Sequence, residues 1–410
     1  MRCFAPTPAS QFWLQIGIFY LCPAKRGAKS EILLILIMIN MNSKIKAYDV
    51  IVVYSESIAN SARDKQYREK YPFSSKDRHG DYNDSYRYFL SRCKKMGIKA
   101  AFATSKDIIT PGLFQSFWTY DKEWVRNYGK AYSQVLFDKF TPSTIKQKNK
   151  LKLLTSSKSV YTFNNKKMKD IFQNKLNTYK YFKEFAISTV EITNPSKRKI
   201  ILAKTKLDKL LKRHRYRVDF NDNYIIKDKT GAGGFKIYKV DFDKFGFKEI
   251  MKHYKLDKRD KKILSYILQP FINCNKGFVF GKYHGLIDLR VIVLNNKIIQ
   301  TYIRIAKKGK FECNEHQGGN LVYMPIKIIP KDVLTMTRKI IKKLDAKLNL
   351  KHSLYALDFM RSNNGNLYFI EGNTNPGIDW NHRKKINEVK SKELINLIVN
   401  ELKLIIQERG

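Results

Sequence analysis

The sequence predicts an α/β domain followed by a longer region in which strands alternate with helices. Three observations carry that expectation. Residues 49–54 (Asp-Val-Ile-Val-Val-Tyr) form a short apolar run, residues 83–96 have helical spacing that stops at Gly97, and residues 98–103 form a second apolar run, so the region opens as a βαβ unit. Further on, apolar residues at 333, 334, 340, 341, 344 and 348 make a helical stripe broken only by Thr337, and positions 394, 395, 398, 399, 402, 405 and 406 make another. Residues 355–361 and 367–373 are rich in aromatic and branched residues and flank Ser362-Asn363-Asn364-Gly365-Asn366, which reads as a β-hairpin.

The elements between follow the same logic. Residues 159–163 read as a strand, 174–185 as a helix, 187–192 as an extended segment and 204–213 as a basic helix. Strands are then expected at 223–227, 263–268, 289–294, 297–305, 354–360 and 366–371. The first forty residues stand apart. Their apolar runs at 12–22 and 32–39 are separated by Lys25, Arg26 and Lys29, and neither reaches the ~20 residues that a membrane span requires. Residues 1–42 are expected to be a disordered or spurious extension ahead of a start near Met41, with a signal sequence or anchor as the alternative.

A chain of 410 residues can hold two or three domains. It carries 79 Lys and Arg against 36 Asp and Glu, a net charge of +43 spread over its whole length. Such a field favours anionic partners, although a general bias toward Lys, Ile and Asn produces the same charge. The composition gives no specific reason to expect nucleic acid or a membrane as partner. Cys3, Cys22, Cys93, Cys274 and Cys313 show no CxxC spacing, which points to a reducing compartment and hence the cytoplasm. Cys313 and His316 have ligand-like spacing but lack a second pair, which argues against zinc.

The hairpin carries chemistry. With Asn364-Gly365 as a two-residue turn, Asp358 lies opposite Glu371 and Ala356 opposite Asn373, so two carboxylates and an amide share one face. Like charges so placed destabilise a sheet unless a cation lies between them, and hard oxygen donors suit Mg²⁺ (or Mn²⁺). A solvent-facing hairpin with an accidental acidic pair is the other reading. Upstream, Lys227 precedes Gly231, Gly233 and Gly234 between two strand-like runs, a pattern in which backbone N–H groups can close on phosphate oxygens. A plain glycine hairpin has the same pattern. The chain contains no GxxxxGK[ST] loop and no HRD or DFG element, so it is neither a Walker A NTPase nor a protein kinase.

In order along the chain come Lys175, Lys227 with its glycine loop, Leu268-Gln-Pro-Phe-Ile272, Asp288-Leu-Arg290, Arg304, Asn314 with Gly318-Gly319, Asp358, and Glu371-Gly-Asn-Thr-Asn-Pro-Gly377. That series resembles the ATP-grasp superfamily over residues 157–410, in particular its ribosomal-protein glutamate ligase and glutathione-synthetase-like branch. The resemblance implies an α/β domain over residues 43–156, then an α+β ATP-grasp fold whose small subdomain (157–268) and C-terminal subdomain (269–410) clasp ATP. It implies that Lys175 and Lys227 grip the nucleotide under Gly231, Gly233 and Gly234, with Asn314 in the same set. Lys169 competes with Lys175 for that role. Gln269, Phe271 and Ile272 would form the hinge that reads adenine through its backbone. Asp358, Glu371 and Asn373 would hold magnesium, and Arg290 and Arg304 would face the transferred phosphate and acyl group. Two positions depart from the family pattern: Pro270, where the hinge is often acidic, and Gly372, where a branched residue is usual. The implied reaction is ATP-dependent joining of a small-molecule or peptide carboxylate to an amine through an acyl phosphate, with an acidic peptide or protein as a possible acceptor. A catalytically idle nucleotide-binding fold and a basic nucleic-acid-binding protein are the alternatives.

Overall fold

The computed structural model describes residues 45–64, 70–74, 81–142, 144–164, 166–193, 196–230, 237–242, 265–380, 382 and 384–409, with single positions 248 and 251. The expected extension at 1–42 and the glycine loop Gly231, Gly233 and Gly234 lie outside the described residues.

The N-terminal part begins with β1 (Ile45–Ala47), β2 (Val50–Tyr54), α1 (Tyr82–Lys95) and β3 (Ala100–Thr104), the expected βαβ unit. Gly97, at φ +75°, takes the left-handed conformation that ends α1 without a Cβ clash. Then follow β4 (Ile108–Thr110), β5 (Leu113–Phe114), β6 (Phe117–Asp121), β7 (Glu123–Asn127), β8 (Lys130–Tyr132), β9 (Val135–Asp138), α2 (Ile145–Leu154) and β10 (Tyr161–Thr162). The central sheet runs β10-β9-β2-β3-β6-β7, parallel through β3 and antiparallel beyond it, and a smaller sheet runs β1-β8-β5-β4. The run expected at 159–163 is a strand only at Tyr161–Thr162.

Next come α3 (Lys166–Phe172) and α4 (Lys175–Tyr181), the latter capped by the Asn174 side chain and ending four residues before the expected end at 185. β11 (Val190–Thr193), α5 (Lys197–Lys212), β12 (Phe220–Asp228), β13 (Ile237–Val240) and β14 (Ser265–Ile272) complete an antiparallel sheet in the order β11-β14-β12-β13. Ile200, Ala203 and Leu207 of α5 pack on this sheet, leaving its lysines outside. The expected boundary between residues 268 and 269 falls inside β14, because Gln269 and Pro270 stay paired with Ile225 and Tyr224 of β12.

The last sheet is built from β15 (Ile287–Leu294), β16 (Lys297–Ile305), β17 (Asn320–Met324), β18 (Leu354–Arg361) and β19 (Leu367–Asn373), with α6 (Lys331–Asp345) inserted before β18 and α7 (Lys385–Arg409) at the end. Its order is β17-β16-β15-β18-β19. Strand alternation gives the sheet two faces. Ile287, Leu289, Val291, Val293, Tyr355, Leu357 and Phe359 pack under α6, while Ile292, Leu294, Leu354 and Ala356 join a core shared with α1, β2 and α7. The polar residues 288, 290 and 358 lie on that second face.

The hairpin corrects one expectation. Its turn is the three-residue loop Asn363–Gly365, closed by Ser362 N–H to Asn366 O (2.9 Å) and Gly365 N–H to Ser362 O (3.0 Å), with Gly365 at φ +83°. This loop displaces the pairing by one residue, and a bulge at Ile370 between Phe369 and Glu371 restores it. Asp358 therefore does pair with Glu371, and Ala356 with Asn373, as expected but for a different reason.

Candidate active site

Four adjacent strands place one residue each on a single cross-strand rung: Tyr302 on β16, Arg290 on β15, Asp358 on β18 and Glu371 on β19. The next rung pairs Arg304 with Asp288. Arg290 donates from Nε and Nη2 to the two oxygens of Asp358 (2.6 and 2.5 Å), and Arg304 donates to the same carboxylate (2.8 Å). Arg304 also donates Nε to Asp288 (2.7 Å) and Nη1 to Asn314 Oδ1 (2.6 Å).

This network changes the reading of the acidic pair. The positive charge beside Asp358 comes from two guanidinium groups, so the register alone does not call for a metal ion. Burial would push the Asp358 carboxyl up, but Arg290 and Arg304 hold it below the usual range. Asp288 shares only Arg304 and feels the charge of Asp358, and burial pushes it up. The Glu371 side chain accepts no hydrogen bond and forms no ion pair among the described residues, so its carboxylate oxygens are open to a hard cation or a ligand. Asn373, two residues along the same face, offers its side chain, whose Oδ1 accepts from Asn375 N–H (2.8 Å). No group of three or more His, Cys, Asp or Glu residues that could hold a metal is found among the described residues. Any cation would thus rest on Glu371 and Asn373, with the remaining lone pairs of Asp358.

Two cavities meet at this network. The first encloses about 750 Å³, counting space open to solvent. Gln269, Pro270, Phe271 and Ile272 form one wall, Ile187, Ile225, Met360 and Ile370 make it apolar, and Lys227, Asp288, Arg304, Asp358 and Glu371 close its polar end. The second, about 2040 Å³ on the same measure, lies between the N-terminal domain (Tyr54, Tyr82, Tyr86, Lys139) and the segment from Gly372 to Asp379, with Lys175, Gln173, Arg290 and Asn373 in its lining. Arg304, Asn314 and Glu371 border both.

The two lysines converge from different elements. Lys227 projects from β12 into the first cavity. Burial pulls its pKa down, the nearby positive charge of Lys175 pulls the same way, and Glu371, Asp288 and Asp358 oppose both. The N–H of Lys175 donates to Lys229 O (2.9 Å), which ties the start of α4 to the end of β12. Lys169, the competing assignment, is buried in an ion pair with Asp138.

A family model described as the RimK-like ATP-grasp domain matches residues 181–398, more than half of the chain. The chain belongs to the RimK-like ATP-grasp family. A probable alpha-L-glutamate ligase of Pseudomonas entomophila (strain L48) is 29% identical over 144 residues, 34% of this chain and 43% of that protein. The chain thus spans less than half the length of the curated relatives it matches. The structure of D-alanyl-alanine synthetase A from Vibrio cholerae O1 biovar eltor superposes with a TM-score of 0.54 at 12% identity, covering 87% of this chain and 98% of that one. A D-alanine–D-alanine ligase from Bacillus anthracis, solved with ATP, gives 0.50 at 12% identity over 88% and 99%. These likenesses show the ATP-grasp fold.

Within that fold the structure brings together Lys227, Gln269, Phe271, Ile272, Arg304, Asn314, Asp358 and Glu371 around one cavity, and Lys175, Arg290 and Asn373 around the adjoining one. The Gln269 side chain is tied to a neighbouring segment, its Nε2 donating to Thr189 Oγ1 (2.9 Å). In the sequence, Asp288 stands in the strand motif without a role, and Glu312 belongs to no motif. Only the pairing of β15 with β16 shows Asp288 beside Arg304, and nothing in the local sequence aims Glu312 into a cavity.

Gly372 has a structural cause in this member of the family. A Cβ built there would lie 2.2 Å from the Phe172 ring of α3, so the ring occupies the space a branched side chain would fill.

Proposed function

We propose that the protein is an ATP-dependent carboxylate–amine ligase working through an acyl phosphate. The observation that carries this reading is the meeting of two cavities at Arg304, Asn314 and Glu371. The first has an apolar end along the hinge strand, suited to a base, and a charged end suited to phosphates. The second has room for the substrate carboxylate and the amine. A carboxylate oxygen attacks the γ-phosphorus, the bond to the bridging oxygen breaks, and ADP leaves. The amine then attacks the acyl carbon, phosphate leaves, and the amine's surplus proton is released.

Lys175 and Lys227 supply fixed positive charge to the phosphates, and Arg290 and Arg304 face the charge that develops on the transferred group. Arg290 and Arg304 are buried and their partners hold them fully charged, so they offer preorganised donors. Mg²⁺ or Mn²⁺, when bound by Glu371 and Asn373 with Asp358, would neutralise phosphate charge. The relatives' names support amino-acid or peptide substrates, and the net charge of +43 supports an acidic peptide or protein acceptor. The free, buried thiols of Cys93, Cys274 and Cys313 fit a reducing compartment such as the cytoplasm, and no helix among the described residues is long and apolar enough to cross a membrane.

The test is ADP release from Mg-ATP in the presence of pooled amino acids and acidic peptides, comparing wild type with Glu371→Ala. Substrate-dependent ADP release that falls at least about a hundredfold in the variant is expected. Equal turnover in the two proteins would sink the role of Glu371. Failure of every carboxylate and amine pair to stimulate ADP release would sink the ligase reading.

A further inference from the structure

We propose that a wall of tyrosines in the second cavity selects a ligated residue with an aromatic side chain over one with a charged side chain. This rests on the ligase reading of that cavity and names the class of side chain it takes. Tyr54, Tyr82, Tyr86, Tyr302 and Tyr323 all line the cavity. Two of them start at the reacting centre. Arg290 donates Nη1 to the Tyr302 hydroxyl (3.4 Å), and Tyr302 meets its cross-strand neighbour Tyr323 edge-on, with ring centroids 5.4 Å apart. The other three belong to the N-terminal domain. Tyr54, at the end of β2, meets Tyr86 and Tyr82 of α1 edge-on, with centroids 5.6 and 6.2 Å apart. Asp379 joins the two groups, since its charge adds to burial in pushing the hydroxyls of Tyr54, Tyr86 and Tyr323 up. Ile58, Leu321 and Ile378 add aliphatic surface to the same lining.

The charges of this cavity are already answered. Lys139 donates to Pro376 O (2.6 Å) and faces the opposing charges of Asp379 and Asp138. Arg290 is held by Asp358, and Arg304 by Asp358 and Asp288. Lys175 serves the phosphates in the ligase reading. An acidic side chain on the substrate would therefore find these cations committed and meet Asp379 as a like charge. A basic side chain would have to compete with Lys139 for Asp379. An aromatic side chain needs no counter-ion. It buries its ring against the tyrosines in the edge-to-face contacts that aromatic pairs prefer, and the nearby hydroxyls and Asp379 can orient a phenol or indole donor.

The experiment is ADP release from Mg-ATP by the full chain with phenylalanine, tyrosine, tryptophan, alanine, lysine and glutamate, each alone and in every pair, as free amino acids and as dipeptides. Pairs with an aromatic residue should give kcat/KM at least about tenfold above the same pairs with alanine, lysine or glutamate in its place, the discrimination that burial of a large side chain supports. Tyr323→Ala should narrow that preference by about tenfold, whereas Tyr323→Phe, which keeps the ring, should hold it to within about threefold. Asp379→Asn, which removes the like charge, should raise the use of glutamate relative to alanine by at least about fivefold. Equal or greater use of alanine, lysine or glutamate by wild type would overturn the assignment of the tyrosine wall and leave the ligase reading standing. So would a preference that Tyr323→Ala leaves unchanged. If no pair stimulates ADP release, the ligase reading itself falls, and the assignment with it.

Discussion

Asp358 accepts from two guanidinium groups, and Arg304 divides its donors among Asp358, Asp288 and Asn314. Removing Arg290 leaves the buried Asp358 carboxylate with one guanidinium in place of two. Arg290→Ala is therefore expected to cost about 3–5 kcal/mol of folding stability, measured by chemical denaturation. Combining it with Asp358→Ala should recover part of that loss, since the under-compensated carboxylate goes too. A loss below about 1 kcal/mol for the single change would show that the network is not the structural centre its geometry describes. The residue types were legible in the sequence, as an arginine on each of two strands and an acid on a third. Their bonds to one another were not, because strand pairing and register decide which side chains share a rung.

At the level of elements, the hairpin of β18 and β19 holds Glu371 in place through two features that offset each other. The three-residue loop shifts the register by one, and the bulge at Ile370 shifts it back. The loop is also anchored from outside: the Asp219 carboxylate accepts from Asn364 (2.8 Å), Asn366 (2.9 Å) and Tyr368 (2.5 Å). Packing of α3 against β19 depends on Gly372, since the Phe172 ring fills the space of a side chain there. Gly372→Ala should destabilise the protein by about 1–3 kcal/mol through overpacking. Phe172→Ala should itself destabilise, by about 3–5 kcal/mol, yet in that background Gly372→Ala should cost far less. Thermal or denaturant unfolding of the four proteins measures the coupling, and strictly additive losses would refute it. The Asn-Gly signal located this hairpin correctly. It could not choose between a two- and a three-residue loop, because Gly365 satisfies the positive φ that either form needs.

For the molecule as a whole, contacts distant in sequence join the N-terminal domain to the rest. The ammonium of Lys139, just after β9, donates to Pro376 O (2.6 Å), and Tyr88 of α1 donates to Asn396 of α7 (3.1 Å). Burial pulls the Lys139 pKa from 10.5 down to about 8, against the opposing charges of Asp379 and Asp138. Between those values the unfolded chain holds a proton that the folded chain has lost. Stability from this group is thus fully present above pH 10.5 and is lost as pH falls through about 8. The stability difference between wild type and Lys139→Met should therefore rise in favour of wild type by roughly 3 kcal/mol across that window. A flat difference from pH 7 to 11 in chemical denaturation would show that Lys139 keeps an ordinary affinity for its proton. The βαβ start and both long helical stripes were legible here, since periodicity reports one buried face. The short strands β4, β5, β8 and the hairpin β6–β7 were not, because runs of two to five residues carry little periodicity.

By itself, the sequence determined that the chain begins as an α/β unit, that its later residues carry the ordered series of an ATP-grasp fold, and that Asp358 and Glu371 share a face. Local spacing suffices for the first, since helix and strand periods act within a few positions, whereas the series rests on its resemblance to a family and the shared face on a loop and a bulge that offset each other. Only the tertiary structure decided that two arginines stand beside Asp358, that Phe172 explains Gly372, and that two cavities meet at Arg304, Asn314 and Glu371. Each of these joins residues far apart in the chain, and their contact is set by how sheets and helices pack.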